Sequence, residues 1–357
     1  MWYNASWTNR VKLTIDNTKV SADLTDYVGY IDLAQMPAGF WTTVQNGGGD
    51  IRITKTDGET ELAREIVTCD TTAETGEVHF KLTGTLSSSA DTDIYVYFGN
   101  SGASDYAVDA TYGRNNVWDS NYRAVYHFSE TSGSRYDSTV NGQTLSDVNT
   151  VTSGAGKLGT GGDFESTNSE YLTKTGSIMA SVPTAITASA WITRESVATG
   201  GPANTISNEG TNKGFWWLRT EDNPSDKVGF SIQNTSTTTF TAKSTTNIGT
   251  GSPYYVVGSW DSSNIKIYVN GSLEHTVATT GTIRTTVALN YICGAFTSPG
   301  NYFDGIIDEN RVSNSALSAS WITTEYNNQS APATFYTVGS VESDGGTVNT
   351  TMFVLNF

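Results

Sequence analysis

The sequence predicts an all-β fold of two β-sandwich domains, with one short helix near residues 318–327. Three observations predict it. Charged residues make up only 16% of the 357-residue chain, against about 25% in ordinary soluble proteins. The space they leave is taken by Thr, Ser, Asn, 35 Gly, 9 Trp and 18 Tyr, residue types that suit strands and turns better than helices. Short runs of alternating apolar and polar residues recur between turn clusters, which is the period-two signature of half-buried strands. Scarce helix formers exclude a helical bundle or coiled coil. The length suits about two domains.

In chain order, Val11, Leu13 and Ile15 alternate with polar residues. So do Val78, Phe80 and Leu82, then Ile94, Val96 and Phe98. Further strands are expected at Val125-Tyr126-His127-Phe128, Ala188 to Ile192, Phe215 to Leu218, Val228 to Ile232, Tyr254 to Trp260, and Ile265 to Val269. Asn270-Gly271 follows the last of these, and an apolar-polar run resumes at Leu273. Asn-Gly accepts the positive φ angles of a type I′ turn, so this is a hairpin. Ser318 can cap a helix in which Trp321, Ile322 and Tyr326 share a face, with Asn327-Asn328 ending it. The turn-rich Asn100 to Ser104 closes the first set of strands. The expected division is residues 1–113, residues 114–340, and a strand-like extension at 341–357. Its apolar end, Thr351 to Phe357, is a free edge that should pair with a sheet or a partner subunit.

Acids outnumber bases by 36 to 20, for a net charge of −16, and the excess divides evenly as −8 in residues 1–114 and −8 in the rest. No basic patch can neutralise phosphates, so nucleic acid is not an expected partner. No apolar run reaches the roughly 20 residues of a membrane helix, so membrane insertion is not expected. Cys69 and Cys293 are too few for a disulfide framework or a zinc site and read as small core residues. The Met1 to Trp7 start has neither a basic nor an apolar leader region. The expectation from this is a mature form, or a virion component released by lysis.

Trp7 to Ile15, Gly48 to Ile53, Thr56-Asp57-Gly58 and Ile94 to Asn100 resemble an uncharacterised β-sandwich family of surface and viral proteins, which usually precedes a lectin-like domain. Ala124 to Glu130, Asp137-Ser138-Thr139-Val140-Asn141-Gly142, Gly161 to Phe164, Ile265 to Gly271 and Phe303 to Val312 are similar to such a domain, of the laminin-G-like or concanavalin-A-like class. The resemblance implies a jelly roll of two antiparallel sheets that takes ligands on a concave face or rim loops. It also implies one structural Ca²⁺, with Asp137, Asn141 and Asp308 on the matching positions. Hard cations want such oxygen ligands. The plainer alternative is an Asx-turn at Asp137 and Asn141, with Asp308 paired to Arg311.

For sugars, stacking aromatics are the candidates. Alternation puts Trp216 and Trp217 on opposite faces, so one belongs to the core and the other to the surface. Tyr302, beside Asn301 and Asp304 in a loop with Ser298-Pro299-Gly300, is the third candidate. Catalysis finds little support. His79, His127 and His275 read as ordinary strand or hairpin residues. A glycosidase of this fold needs two carboxyls flanking one bond, spaced E-x-D-x-x-E along a strand. Here Asp308 and Glu309 are adjacent, and alternation sends them to opposite faces. The expected function is therefore a non-catalytic surface protein. Its setting is a virion, as a decoration, fibre or tail component, or an extracellular surface. Its partners are a glycan or cell-surface polymer, other virion proteins and further copies of itself.

Overall fold

The computed structural model describes residues 1–179, 183–196, 204–210, 216–220, 226–284, 289–296 and 300–344. The expected Phe215, the Ser298-Pro299 pair and the apolar run 351–357 lie outside them. Strands of the first domain are β1 (Asn9–Ile15), β2 (Leu24–Asp32), β3 (Arg52–Lys55), β4 (Glu61–Leu62), β5 (Arg64–Asp70), β6 (Thr75–Leu86) and β7 (Thr92–Phe98), with the single-turn helix α1 (Ala38–Trp41) between β2 and β3. The second domain begins with β8 (Tyr122–Tyr126), β9 (Ser146–Val148), β10 (Thr152–Ala155), β11 (Thr160–Phe164), β12 (Tyr171–Thr175), β13 (Ile186–Arg194), β14 (Asn204–Gly210) and β15 (Trp216–Thr220). It continues with β16 (Val228–Gln233), β17 (Thr239–Lys243), β18 (Pro253–Trp260), β19 (Asn264–Val269), β20 (Ser272–Ala278), β21 (Leu289–Cys293), β22 (Ala295–Phe296), β23 (Asn301–Tyr302) and β24 (Gly305–Ser313). Helices α2 (Ala319–Ser330) and α3 (Pro332–Phe335) and strand β25 (Tyr336–Ser343) follow.

The strand pairings are antiparallel throughout the named strands. In the first domain a five-stranded sheet, β25-β1-β7-β3-β4, faces a three-stranded one, β2-β6-β5. Alternation turns Val11, Leu13, Val78, Phe80, Ile94 and Val96 into one core. In the second, an eight-stranded sheet runs β10-β11-β24-β13-β18-β19-β20 with β8 added on β24, and a seven-stranded sheet runs β17-β16-β15-β14-β21-β12-β9. Ala188, Ala190, Trp216, Leu218, Phe230, Ile265 and Ile267 fill the space between them. Phe230 is accommodated because Gly258 faces it: a Cβ there would lie 2.2 Å from the ring. The Asn270-Gly271 turn has φ of +50° and +77°, as a type I′ hairpin requires.

Two expectations need correcting. The second domain does not run to residue 340. Strand β25 returns to the first domain and pairs with β1 from Asn9↔Ser343 to Ile15↔Tyr336. It covers an edge that β1 would otherwise expose. The helix does start on Ser318, whose hydroxyl accepts from Trp321 N at 3.1 Å. It passes Asn327-Asn328 and runs to Ser330, where Pro332 opens the next turn. Both asparagines turn their amides onto the first domain, Asn327 to Lys19 O and Asn328 to Tyr30. They hold the helix down and do not end it.

The two domains dock face to face. The outward side of β2-β6-β5 meets the outward side of the eight-stranded sheet, and α2 is wedged beside the joint. Tyr30, Leu158, Trp191, Tyr255, Val257, Tyr268 and Ile322 form one interdomain apolar cluster. Val28, Ala63, Val117, Trp118, Tyr122 and Val125 form another. The joint thus covers the middle strands of the eight-stranded sheet's outward face and leaves the edge strands β10 and β20 largely exposed.

Candidate functional site

Three regions gather the candidate side chains. The first is the outward face of the seven-stranded sheet. Its register lines up Thr173, Ile292, Ser207, Trp217, Ser231 and Thr241 across six strands, of which Ile292, Ser207 and Ser231 are buried and the other three partly exposed. Trp217 stands in the middle, half-buried, with the Arg219 guanidinium 5.5 Å from its ring centre. Trp216 points the other way and is fully buried in the core. Of the two, only Trp217 can meet a ligand.

The second region is the rim where β11 ends, β13 ends and β24 begins. Tyr302 pairs with Tyr171 at 6.2 Å between ring centres, and both rings are half-exposed. Beside them the carboxylates of Asp163, Glu165 and Glu195 lie within 4.8 Å of one another. Burial raises the pKa of all three, and mutual repulsion with Asp304 adds to it. Asp304 itself is held low: burial opposes this, but hydrogen bonds from Ser196 and Ser166 outweigh it. Such a rim offers acceptors for sugar hydroxyls beside two stacking faces.

The expected calcium ligands are each engaged with other groups of the protein. Both Asp137 oxygens are occupied. Oδ1 accepts from Val125 N (3.0 Å) and Thr139 N (2.9 Å), and Oδ2 from Thr139 Oγ1 (2.8 Å) and Gln143 N (2.8 Å). This is the turn-shaping role that the sequence left open. Asn141 donates its amide to the Tyr122 and Arg123 carbonyls. Asp308 serves another element: its Oδ2 accepts from Leu158 N at 2.8 Å. Nor does it pair with Arg311, whose guanidinium binds Glu309 and Glu325.

The third region was not anticipated. It lies in the joint between the domains. β6 alternation sends Val78 and Phe80 into the first core and Glu77 and His79 outward. β24 alternation fails at one point. Ser189 pairs with Arg311 but Trp191 with Asp308, so β24 carries one extra residue. Glu309 absorbs it at φ +51°, a β-bulge. Ile307 and Val312 therefore stay in the core, Asn310 turns inward to Tyr291 Oη at 3.0 Å, and both Asp308 and Glu309 turn outward to the joint. The expectation that these adjacent acids point to opposite faces is wrong for this reason. They share a side, yet both are buried beneath the first domain. They cannot flank a glycosidic bond there.

In the joint, His79 and His127 stack at 4.7 Å with 21° between their planes. His79 Nε2 lies 2.9 Å from Glu77 Oε1 and 3.8 Å from Glu309 Oε1. His127 Nδ1 lies 3.5 Å from Glu77 Oε1 and in closer contact with Glu309 Oε1. On its far side, His127 Nε2 faces Glu65 Oε2 at 3.3 Å. Glu65 also accepts from Trp118 Nε1 and Ser138 Oγ, both at 2.6 Å. Burial would lower the pKa of His127, but Glu309 and Glu65 overcome it and drive it up. Burial and the neighbouring Glu309 raise Glu77. His79 is pushed down by burial. The only sequence signal was polar residues at alternate positions of apolar strands, which ordinarily means a solvated face.

Residues 164–323 match the family model of the Concanavalin A-like lectin/glucanases superfamily. Residues 47–144 match a domain of unknown function, DUF2341. The order agrees with the resemblance drawn from the motifs. No curated protein matches the chain. Among solved structures, the chain is similar to domain 4 of AbnA, an extracellular arabinanase of Geobacillus stearothermophilus solved with arabinotriose. The identity is 19%, over 57% of this chain and 97% of that one, with a TM-score of 0.46. The binding domain of Paraclostridial Mosquitocidal Protein 1 is 12% identical over 58% of this chain and 52% of its own, with a TM-score of 0.47. A heptameric SAP-like pentraxin of Limulus polyphemus is 14% identical over 43% and 73%, with a TM-score of 0.35. This chain thus spans about half of the mosquitocidal binding domain. Among the described residues no helix is long and apolar enough to cross a membrane.

Proposed function

We propose that the second domain is a carbohydrate-binding module, and that the first is its rigid mount on an extracellular surface or a virion fibre, tail or coat. One observation carries this reading. The first domain covers the middle strands of the eight-stranded sheet's outward face, whereas the outward row of the seven-stranded sheet, closed at Ser207, Ser231 and Ile292, keeps partly exposed aromatics on that row and at its rim. That is where Trp217, Tyr171 and Tyr302 stand. The match of residues 164–323 to a lectin and glucanase superfamily supports the same reading. The acids of β24 are buried in the joint, which favours binding over hydrolysis.

A glycan array tests it. The intact chain is expected to select a small set of glycans. Trp217→Ala or Tyr302→Ala is expected to weaken the best hit at least tenfold, about 1.4 kcal/mol, with the melting temperature nearly unchanged. An array without hits, or hits indifferent to both substitutions, overturns the reading. Detection of the chain in purified particles, or on washed cells, decides between the two settings.

A further inference from the structure

We propose that Glu77 Oε1, His79 Nε2, His127 Nδ1 and Glu309 Oε1 form a closed structural site for one divalent transition metal, Zn²⁺ fitting best, that clamps the two domains together.

Geometry comes first. The four donor atoms lie within 4.8 Å of one another, two from each side of the joint. Zinc bonds to imidazole nitrogen and carboxylate oxygen are about 2.0–2.2 Å, so the edges of a tetrahedral site are about 3.3–3.6 Å. Three separations, 2.9, 3.5 and 3.8 Å, bracket that range, while His127 Nδ1 and Glu309 Oε1 stand closer and would have to part on binding. The donor set argues for the metal class. Ca²⁺ and Mg²⁺ take shells of oxygens, whereas two imidazoles favour zinc and its transition-metal neighbours. Two carboxylates cancel a dication's charge, which makes burial of all five groups affordable only together.

The surroundings orient the donors. Glu65, fixed by Trp118 and Ser138, accepts at His127 Nε2 and so leaves the Nδ1 lone pair facing the cluster. Carboxylate–histidine–metal chains of this form hold many metal sites. Arg311 grips Glu309 through Oε2 and leaves Oε1 for the centre. Independently, Asp308 sits beside this cluster, 1% exposed, with Oδ1 unpartnered. A buried carboxylate oxygen without a side-chain donor is a place where an ion or an ordered water is to be sought. All four donors are buried, so the site has no open position for a substrate, as structural sites do not.

The test uses full-length protein freed of any histidine tag. Elemental analysis is expected to find close to one zinc per chain. After chelation, Zn²⁺ alone is expected to raise the melting temperature by about 5 °C or more at a hundredfold excess over its dissociation constant. Co²⁺ alone should give the visible absorption of a tetrahedral N,O site. His79→Gln and Glu309→Gln should abolish both responses, while Asp163→Asn at the rim should not. If those variants fail to fold, the zinc content and cobalt spectrum of the unaltered chain still decide. Folded protein with less than about 0.1 equivalent of metal and no response to Zn²⁺ or Co²⁺ overturns the proposal. So does metal retained in both variants, which would put it elsewhere.

Discussion

Asn328 shows how a single side chain can serve as a piece of strand. Its Oδ1 accepts from Tyr30 N at 2.7 Å and its Nδ2 donates to Tyr30 O at 2.9 Å. The helix thereby pairs with β2 as a neighbouring strand would, in a place closed to water. Removing it leaves a buried donor and a buried acceptor, each costing about 1–3 kcal/mol. Asn328→Ala is therefore expected to cost about 2–4 kcal/mol, read from the denaturant midpoint. A loss below about 1 kcal/mol would mean that Tyr30 finds other partners. Gln329 does similar work by accepting from Trp191 Nε1 at 2.7 Å. The sequence places both residues at or beyond the helix end, because nothing local says that a second domain waits there. The two thiols are more legible. Burial pushes Cys69 up to about 11 and Cys293 up to about 12. Neither is expected to react with a thiol reagent at pH 8 in the folded chain, and both should react on unfolding. Fast labelling of the native protein would contradict the burial.

At the scale of elements, hairpins and caps follow from local chemistry and can be tested locally. Gly271 at φ +77° would bring a Cβ to 3.0 Å from Tyr326 of α2. Gly271→Ala is expected to cost about 1–2 kcal/mol from the left-handed backbone alone, with the contact adding to it. The turn between β18 and β19 depends on Asp261. It accepts from Ser263 N and Asn264 N and meets Lys266 Nζ at 2.9 Å. Burial opposes ionisation there, but Lys266 and the two backbone donors outweigh it and lower the pKa. A lowered carboxylate stabilises the fold above its unfolded value of about 3.9 and loses that effect as the pH falls through the folded value. The melting-temperature deficit of Asp261→Ala should thus be present at pH 7 and fade below about pH 3. A deficit constant with pH would show that the charge plays no part. Alternation made most strands readable, from Val11 to Val269. It failed at Glu309 because a bulge is one extra residue, and no residue type there announces it.

Across the whole molecule, what the sequence withheld is how its parts meet. Trp191, Tyr255 and Tyr268 alternate with core residues, positions that ordinarily face solvent, and His79 and His127 read as ordinary strand residues. Only docking buries them. The same docking hid β25, whose partner β1 lies more than 300 positions away. Two consequences for folding can be measured. The apolar clusters, α2 and the β25 return tie each domain's integrity to the other's, so the chain is expected to unfold in one calorimetric transition, with calorimetric and van't Hoff enthalpies equal. Trp118 is the natural probe. It is 1% exposed, donates to Glu65 at 2.6 Å and lies 4.8 Å from the Arg311 guanidinium. Trp118→Ala removes a large buried ring, at a cost of about 3–5 kcal/mol. If the joint is part of one cooperative unit, that loss lowers a single melting temperature. If instead the domains are beads on a string, the variant splits the trace into two transitions, or leaves one of two untouched. The first outcome ties the lectin-like face to the state of the joint on its far side. The second separates them, and the first domain is then no rigid mount.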